Sequence, residues 1–160
     1  MIDNNISKLK GFMPKHEGTA LTKWSEEFSS IGPIMEIGSY CGKSAMYLSK
    51  GAILNDQLVY TIDHHFGSEE HQINEEYFDN EIFDHKKQRV NTLPLLIKNI
   101  NKMQAENIVP IISNSVGIAS KWNTELGMVF IDGGHSFEAA NDDYESWNTK
   151  IKQNGALVIH

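Results

Sequence analysis

Apolar residues recur along this chain with two spacings, and the alternation between them predicts an α/β fold. Short apolar runs at Ile34-Met35, Gln57 to Ile62, Ile108 to Ile112, Gly127 to Ile131 and Ala156 to Ile159 read as five strands. Between them, apolar residues three and four apart predict helices. One runs through Leu21, Trp24 and Phe28, and another begins at Ala45-Met46-Tyr47-Leu48. A third carries Leu93, Leu96, Ile97, Ile100 and Met103, with Pro94 tolerable in its first turn. A short one holds Ala119 and Trp122, and the last runs through Phe137, Ala140, Tyr144 and Trp147. Thr19 is expected to cap the first helix after a loop or arm from Gly11 to Gly18. Ser136 is expected to cap the last helix, which Asn154-Gly155 would close. Pro110 suggests that the third strand lies at a sheet edge, since proline cannot donate to a ladder. His64 to Arg89 is polar and weakly periodic, a long insertion of the kind that contributes to pockets or lids.

Strands alternating with helices imply a parallel sheet with helices on both faces, and such sheets bind ligands beyond the carboxyl ends of their strands. Polar and glycine residues cluster at those ends: Gly38 to Gly42, Asp63, Ser113 to Ser115, and Asp132 to His135. Residues 1–31 read as an arm and helix, and 32–160 as the ligand-binding domain. The length of 160 residues suits one hydrophobic core. A net charge of −7, with no basic stripe, argues against a nucleic-acid partner. No apolar run reaches membrane-spanning length and the start lacks a signal-peptide layout, so a cytoplasmic location with no membrane partner is the expectation. The single cysteine, Cys41, excludes an internal disulfide and reads as a small packed residue. Trp122 and Trp147 read as packing residues, and Asp142 and Asp143 as a solvated or substrate-facing pair.

The chemistry concentrates in Glu36-Ile37-Gly38-Ser39-Tyr40-Cys41-Gly42-Lys43-Ser44, between the first strand and its helix. Glycine at such a turn takes positive φ and lets a ligand approach the backbone, while the next helix's free N–H groups face the same cleft. The spacing is E-x-G-x-x-x-G, not the G-x-G-x-x-G that surrounds a pyrophosphate. A carboxylate before the turn suits a ligand with a cationic amino-acid moiety. An acid about 20 residues past a glycine loop, here Asp63, suits ribose recognition.

Glu36 to Ser44 resembles the cofactor loop of catechol-type O-methyltransferases, and Phe130-Ile131-Asp132-Gly133-Gly134-His135-Ser136-Phe137-Glu138 resembles the signature of related small-molecule enzymes. Both belong to the class I S-adenosylmethionine-dependent methyltransferases, and the similarity runs from about Gly32 to His160. The resemblance implies a Rossmann-like sheet and transfer of a methyl group to a small molecule, most simply to oxygen. It places Glu36 near the methionine ammonium and lines the methionine moiety with Gly38, Ser39, Tyr40, Gly42 and Ser44. Asp63 would hold both ribose hydroxyls, with His64 near the cofactor. Ser113 and Ser115 would border the adenine, though both also suit plain helix caps. Asp132 would touch the cofactor and ligate magnesium, the one metal ligand assigned. His135 stands where these enzymes usually carry a lysine base. An imidazole with a pKa of about 6.5 can take that role, or His135 caps the next helix or borders the adenine.

The superfamily sheet has seven strands, and five are found here, so the fold is expected to be truncated after the fifth strand. The family's further acidic metal ligand would fall just after His160. The expectation is a fragment of a longer chain, the alternative a homo-oligomer whose partner covers the open edge. The rival functions are a cofactor-binding module without turnover and an NAD-binding oxidoreductase, which the glycine spacing opposes.

Overall fold

The computed structural model describes residues 5–68, 71–75, 78–134 and 136–160. Its organising strand is β1 (Ile34–Ile37), whose four residues are all buried. β1 pairs in parallel with β2 (Val59–Asp63) on one side and β6 (Leu126–Ile131) on the other. Beyond them lie β5 (Ile108–Ile112) and β7 (Ile151–Ile159), giving the parallel order β5-β2-β1-β6-β7. The direction of winding reverses between β1 and β6, so their carboxyl ends open a crevice at the switch point. Pro110 sits at the sheet edge, as its missing N–H requires.

Alternate side chains of β1 enter different cores. Ile34 packs with Met46, Tyr47 and Leu48 of α2 (Lys43–Ala52), with Leu21 of α1 (Lys15–Ser29), and with Ile100 and Met103 of α3 (Leu93–Met103). Met35 and Ile37 face the other way, onto Ala119 of α4 (Ser115–Ala119) and Trp147 of α5 (Phe137–Trp147). The sheet is therefore covered on both faces, the Rossmann-like architecture expected. Ile6, Leu9 and Met13 also enter the first core, which ties the amino-terminal arm to the domain.

Several boundaries differ from the sequence reading. α1 begins at Lys15, not after Thr19, and the Thr19 hydroxyl donates to the Lys15 carbonyl inside the helix. Asn114 caps α4 by accepting from the Gly117 N–H, so neither Ser113 nor Ser115 is the cap. Ser136 does cap α5, accepting from the Ala139 N–H at 3.2 Å. That helix stops at Trp147, and Asn154-Gly155 lies inside β7. Asn154 takes a φ of 67° where the β6–β7 register slips, so a helix-stop signal serves a bulge instead. The polar insertion contains a small antiparallel pair, β3 (Phe83–Asp84) with β4 (Arg89–Val90).

Lys10 in the amino-terminal segment pairs with both Asp79 and Glu81 of that insertion. All three groups retain solvent contact, so Lys10→Ala should lower stability by less than about 1 kcal/mol in urea unfolding. The larger expected effect is local: faster amide exchange in residues 10–13 and 78–83, with the sheet unchanged. Equal protection in both proteins would show that the pair does not hold these segments together.

Candidate functional site

The bend between β1 and α2 is built by two glycines and one carboxylate. Gly38 has φ 93°, and a Cβ there would stand 2.1 Å from the Asp132 carbonyl oxygen, so only glycine lets the ends of β1 and β6 meet. Gly42, φ 86°, starts α2, and a Cβ on it would strike Leu96 at 2.4 Å. Asp63, at the end of β2, accepts from the N–H groups of Ser39 at 3.1 Å, Tyr40 at 2.8 Å and His65 at 2.7 Å. Its carboxylate thus closes the turn as well as facing the crevice. On the far side, Asn99 of α3 donates to the Cys41 carbonyl at 2.8 Å. Burial pushes the Cys41 thiol up to about 12, which keeps it an inert packed residue.

Glu36 lies beneath this turn. It is fully buried, and burial raises its carboxyl to about 8, although hydrogen bonding from Ser44 and Thr61 acts the other way. Ser39 hydrogen-bonds to Thr61, and Thr61 donates to Glu36 Oε2. Oε1 lacks a hydrogen-bond partner in good geometry.

Two adjoining cavities occupy the carboxyl end of the sheet. One, of about 560 Å³, is lined by Gly38, Ser39, Tyr40, Ser44, Asp132 and His160, with a wall of Phe12 and His71. The Phe12, Tyr40 and His71 rings form a cluster, with Tyr40 and His71 stacked at 5.2 Å. The other, of about 650 Å³, runs from Asp63 and His64 past Ser113 and Ser115 to Asp142 and Asp143. Gly38, Tyr40, Asp132 and Gly133 line both, so the two form one continuous crevice.

The structure thus gathers Gly38, Ser39, Tyr40, Ser44, Asp63, His64, Ser113, Ser115 and Asp132 on shared walls. Gly42 and Glu36 line neither cavity; both support the turn from behind. His135 lies outside the described residues. Asp132 Oδ1 stands 3.2 Å from His160 Nδ1, and His160 Nε2 stands 3.1 Å from Glu17 Oε2. Among the described residues no group of three or more His, Cys, Asp or Glu side chains is arranged to hold a metal ion. Beside Asp132 stands the His160 ring nitrogen, so the described residues do not support the magnesium expectation.

Residues 35–160 match a family model described as a methyltransferase domain. The chain belongs to that family. Solved structures share the fold of this methyltransferase domain at low identity. Cofactor-bound Rv0187 from MTB matches at 13% identity and a TM-score of 0.67, over 99% of this chain and 61% of that one. The O-methyltransferase from Bacillus cereus in complex with SAH matches at 12% and 0.66, over 99% and 61%. The O-methyltransferase TomG from Streptomyces achromogenes, involved in tomaymycin synthesis and in complex with SAM, matches at 14% and 0.63, over 99% and 60%. The chain spans about three fifths of the length of these structures.

Among the residues lining the crevice that sequence reasoning missed are Phe12, His71 and His160. Phe12 sits in a glycine-flanked arm and His71 in an aperiodic insertion, so neither carries a spacing signal. His160 had one, because it follows the fifth strand, at the sheet end where ligands bind. No described helix is long and apolar enough to cross a membrane.

Proposed function

We propose that this methyltransferase domain binds S-adenosylmethionine along the crevice and passes its methyl group to an oxygen of a small molecule. The observation that carries this is the continuity of the two cavities across Gly38, Tyr40, Asp132 and Gly133. An extended nucleoside–amino-acid ligand needs such a bipartite crevice. Asp63 takes the ribose hydroxyls with the carboxylate that also closes the turn. Ser113 and Ser115 border the base, while Ser39, Tyr40 and Ser44 line the amino-acid end. Glu36 acts from beneath: a buried acceptor without a donor favours a cationic group above it.

The cofactor supplies an electrophilic methyl group on a positively charged sulfur. The protein's part is to hold the acceptor oxygen in line with it, which offsets most of the entropic cost of meeting. The acceptor occupies the cavity walled by Phe12, Tyr40 and His71, next to Asp132. His135, three residues past Asp132, takes the hydroxyl proton as the oxygen attacks. Burial pushes the Tyr40 hydroxyl above its ordinary range, so it stays protonated and shapes the wall. The net charge of −7 supports a small acceptor over a nucleic acid.

Calorimetry with S-adenosylhomocysteine and with NAD tests the cofactor. Heat with S-adenosylhomocysteine alone is expected, and heat with NAD alone overturns the proposal. A methyl-transfer assay over pooled metabolites, with and without magnesium, then tests turnover. His135→Ala should lower the rate by about 100-fold or more while leaving cofactor affinity within about threefold. Binding without transfer to any acceptor would instead support the module without turnover.

A further inference from the structure

The acceptor cavity carries a cation that the transfer reading leaves without a task. Lys43, the first residue of α2, is half-buried and lines the cavity of about 560 Å³. Neither cavity has another lysine or arginine among its described walls. The Lys43 stem runs under the amino-terminal arm: a Cβ on Gly11 would stand 2.9 Å from Lys43 Cβ, and Nζ donates to the Gly11 carbonyl at 3.1 Å. That carbonyl belongs to the peptide leading into Phe12, so the ammonium is fixed at the arm side of the cavity. The Phe12 ring lines the same cavity and is 61% exposed.

An ammonium has three protons to donate, and the Gly11 carbonyl takes one. No carboxylate among the described residues pairs with Lys43. Lys10, one residue before Gly11 on the same arm, meets both Asp79 and Glu81. A half-buried charge is best satisfied by an opposite charge that also accepts hydrogen bonds, and a ligand carboxylate meets both needs. A dianion fits worse, because Asp132 lines the same cavity and would repel the second charge. The Phe12 ring next to the ammonium offers a flat apolar surface to the rest of the ligand.

We propose that Lys43 anchors the methyl acceptor by binding the carboxylate of a hydroxylated carboxylic acid whose apolar part lies against Phe12. This inference rests on the transfer reading above and names the substrate class of the same site. With the carboxylate held at the arm, the hydroxyl is left to reach the methyl group beside Asp132.

The test measures binding to the protein saturated with S-adenosylhomocysteine, using two matched pairs of probes: para-hydroxybenzoate with para-hydroxybenzamide, and mandelate with mandelamide. Each amide keeps the shape and the carbonyl of its acid but not the charge. In at least one pair the acid should bind about 10-fold tighter or more by calorimetry near pH 7, a comparison that needs no variant. Lys43→Met should narrow that preference to about twofold or less, with circular dichroism confirming the fold, and Lys43→Arg should keep it within about threefold of the unmodified protein. Lys43→Gln serves if the methionine variant does not fold. The ratio separates two roles of Lys43: loosening the arm alone weakens acid and amide together and leaves their ratio in place. Equal binding of acid and amide in both pairs, or binding of no probe, overturns the inference and leaves the cofactor reading standing. An acid preference that survives in folded Lys43→Met overturns it too, and a simultaneous loss of about 10-fold in S-adenosylhomocysteine affinity would assign the ammonium to the cofactor's own carboxylate instead. Failure of the unmodified protein to bind S-adenosylhomocysteine removes the transfer reading itself.

Discussion

Replacing Asp63 with alanine is expected to lower stability by about 2–4 kcal/mol and to weaken S-adenosylhomocysteine binding by about 100-fold or more. The stability loss follows from the three backbone N–H groups that converge on this carboxylate. Two of them belong to Ser39 and His65, which are 1% and 2% exposed, so water cannot replace the lost acceptor there. On the proposed cofactor reading the binding loss has two sources: the ribose loses its hydrogen-bond partner, and the turn that lines both cavities is no longer held in the shape that receives the ligand. Asp63→Asn separates the two. Its amide keeps one acceptor oxygen but sets an N–H₂ group against a backbone donor, so about half the stability loss should remain. Urea unfolding followed by tryptophan fluorescence reads the first effect and calorimetry the second. A stability change below about 0.5 kcal/mol in Asp63→Ala would mean that the carboxylate does not hold the turn.

The double use of Asp63 shows what pattern reading can and cannot reach. Its place after the second strand, about 20 residues beyond the glycine turn, identifies it as a crevice residue from sequence alone. Its hydrogen bonds to the turn come with Tyr40 at φ 46° and His65 at φ 66°, and no preference of tyrosine announces the first of these conformations. The same division holds across the fold. The five strands are legible because each is an apolar run bounded by polar or glycine residues, and Pro110 marks the edge because a missing N–H has one structural consequence. Asn154-Gly155 misleads because positive φ serves a helix end and a β-bulge equally well. Thr19 misleads because a hydroxyl that caps a helix from outside can also bond to the preceding turn from inside. The wall made by Phe12 and His71 is assembled from segments far apart in sequence, and only the folded chain brings their rings together.

Glu36 was singled out from its place before the turn, but its depth was not legible. Its position at the third residue of β1 puts its side chain on the same face as Ile34, beneath the turn rather than above it. That placement has a thermodynamic signature. In the folded protein the carboxyl holds its proton to about 8, whereas the unfolded chain releases it near 4.5. Between those values the folded state binds more protons, so stability of the ligand-free protein should fall as pH rises from about 4.5 to about 8. The Glu36 contribution has a limiting slope of about 1.4 kcal/mol per pH unit and levels off above that window. Asp143, also raised, adds a slope of the same sign at the acid end, while Asp79, lowered by its hydrogen bond with Lys10, opposes it. Comparison with Glu36→Gln isolates the one group, because glutamine keeps the shape and cannot ionise. The variant should match the unmodified protein near pH 4.5 and exceed it by several kcal/mol near pH 8 in urea unfolding. The fully buried Trp147 provides an internal fluorescence probe. Binding should reverse the balance: a cationic group above the turn favours the ionised carboxylate, so cofactor binding near pH 7 should release close to one proton. Calorimetry in buffers of different ionisation enthalpy measures that number. Parallel stability curves for the two proteins, together with no proton release, would show that Glu36 is ionised without a ligand and that the cationic group lies elsewhere.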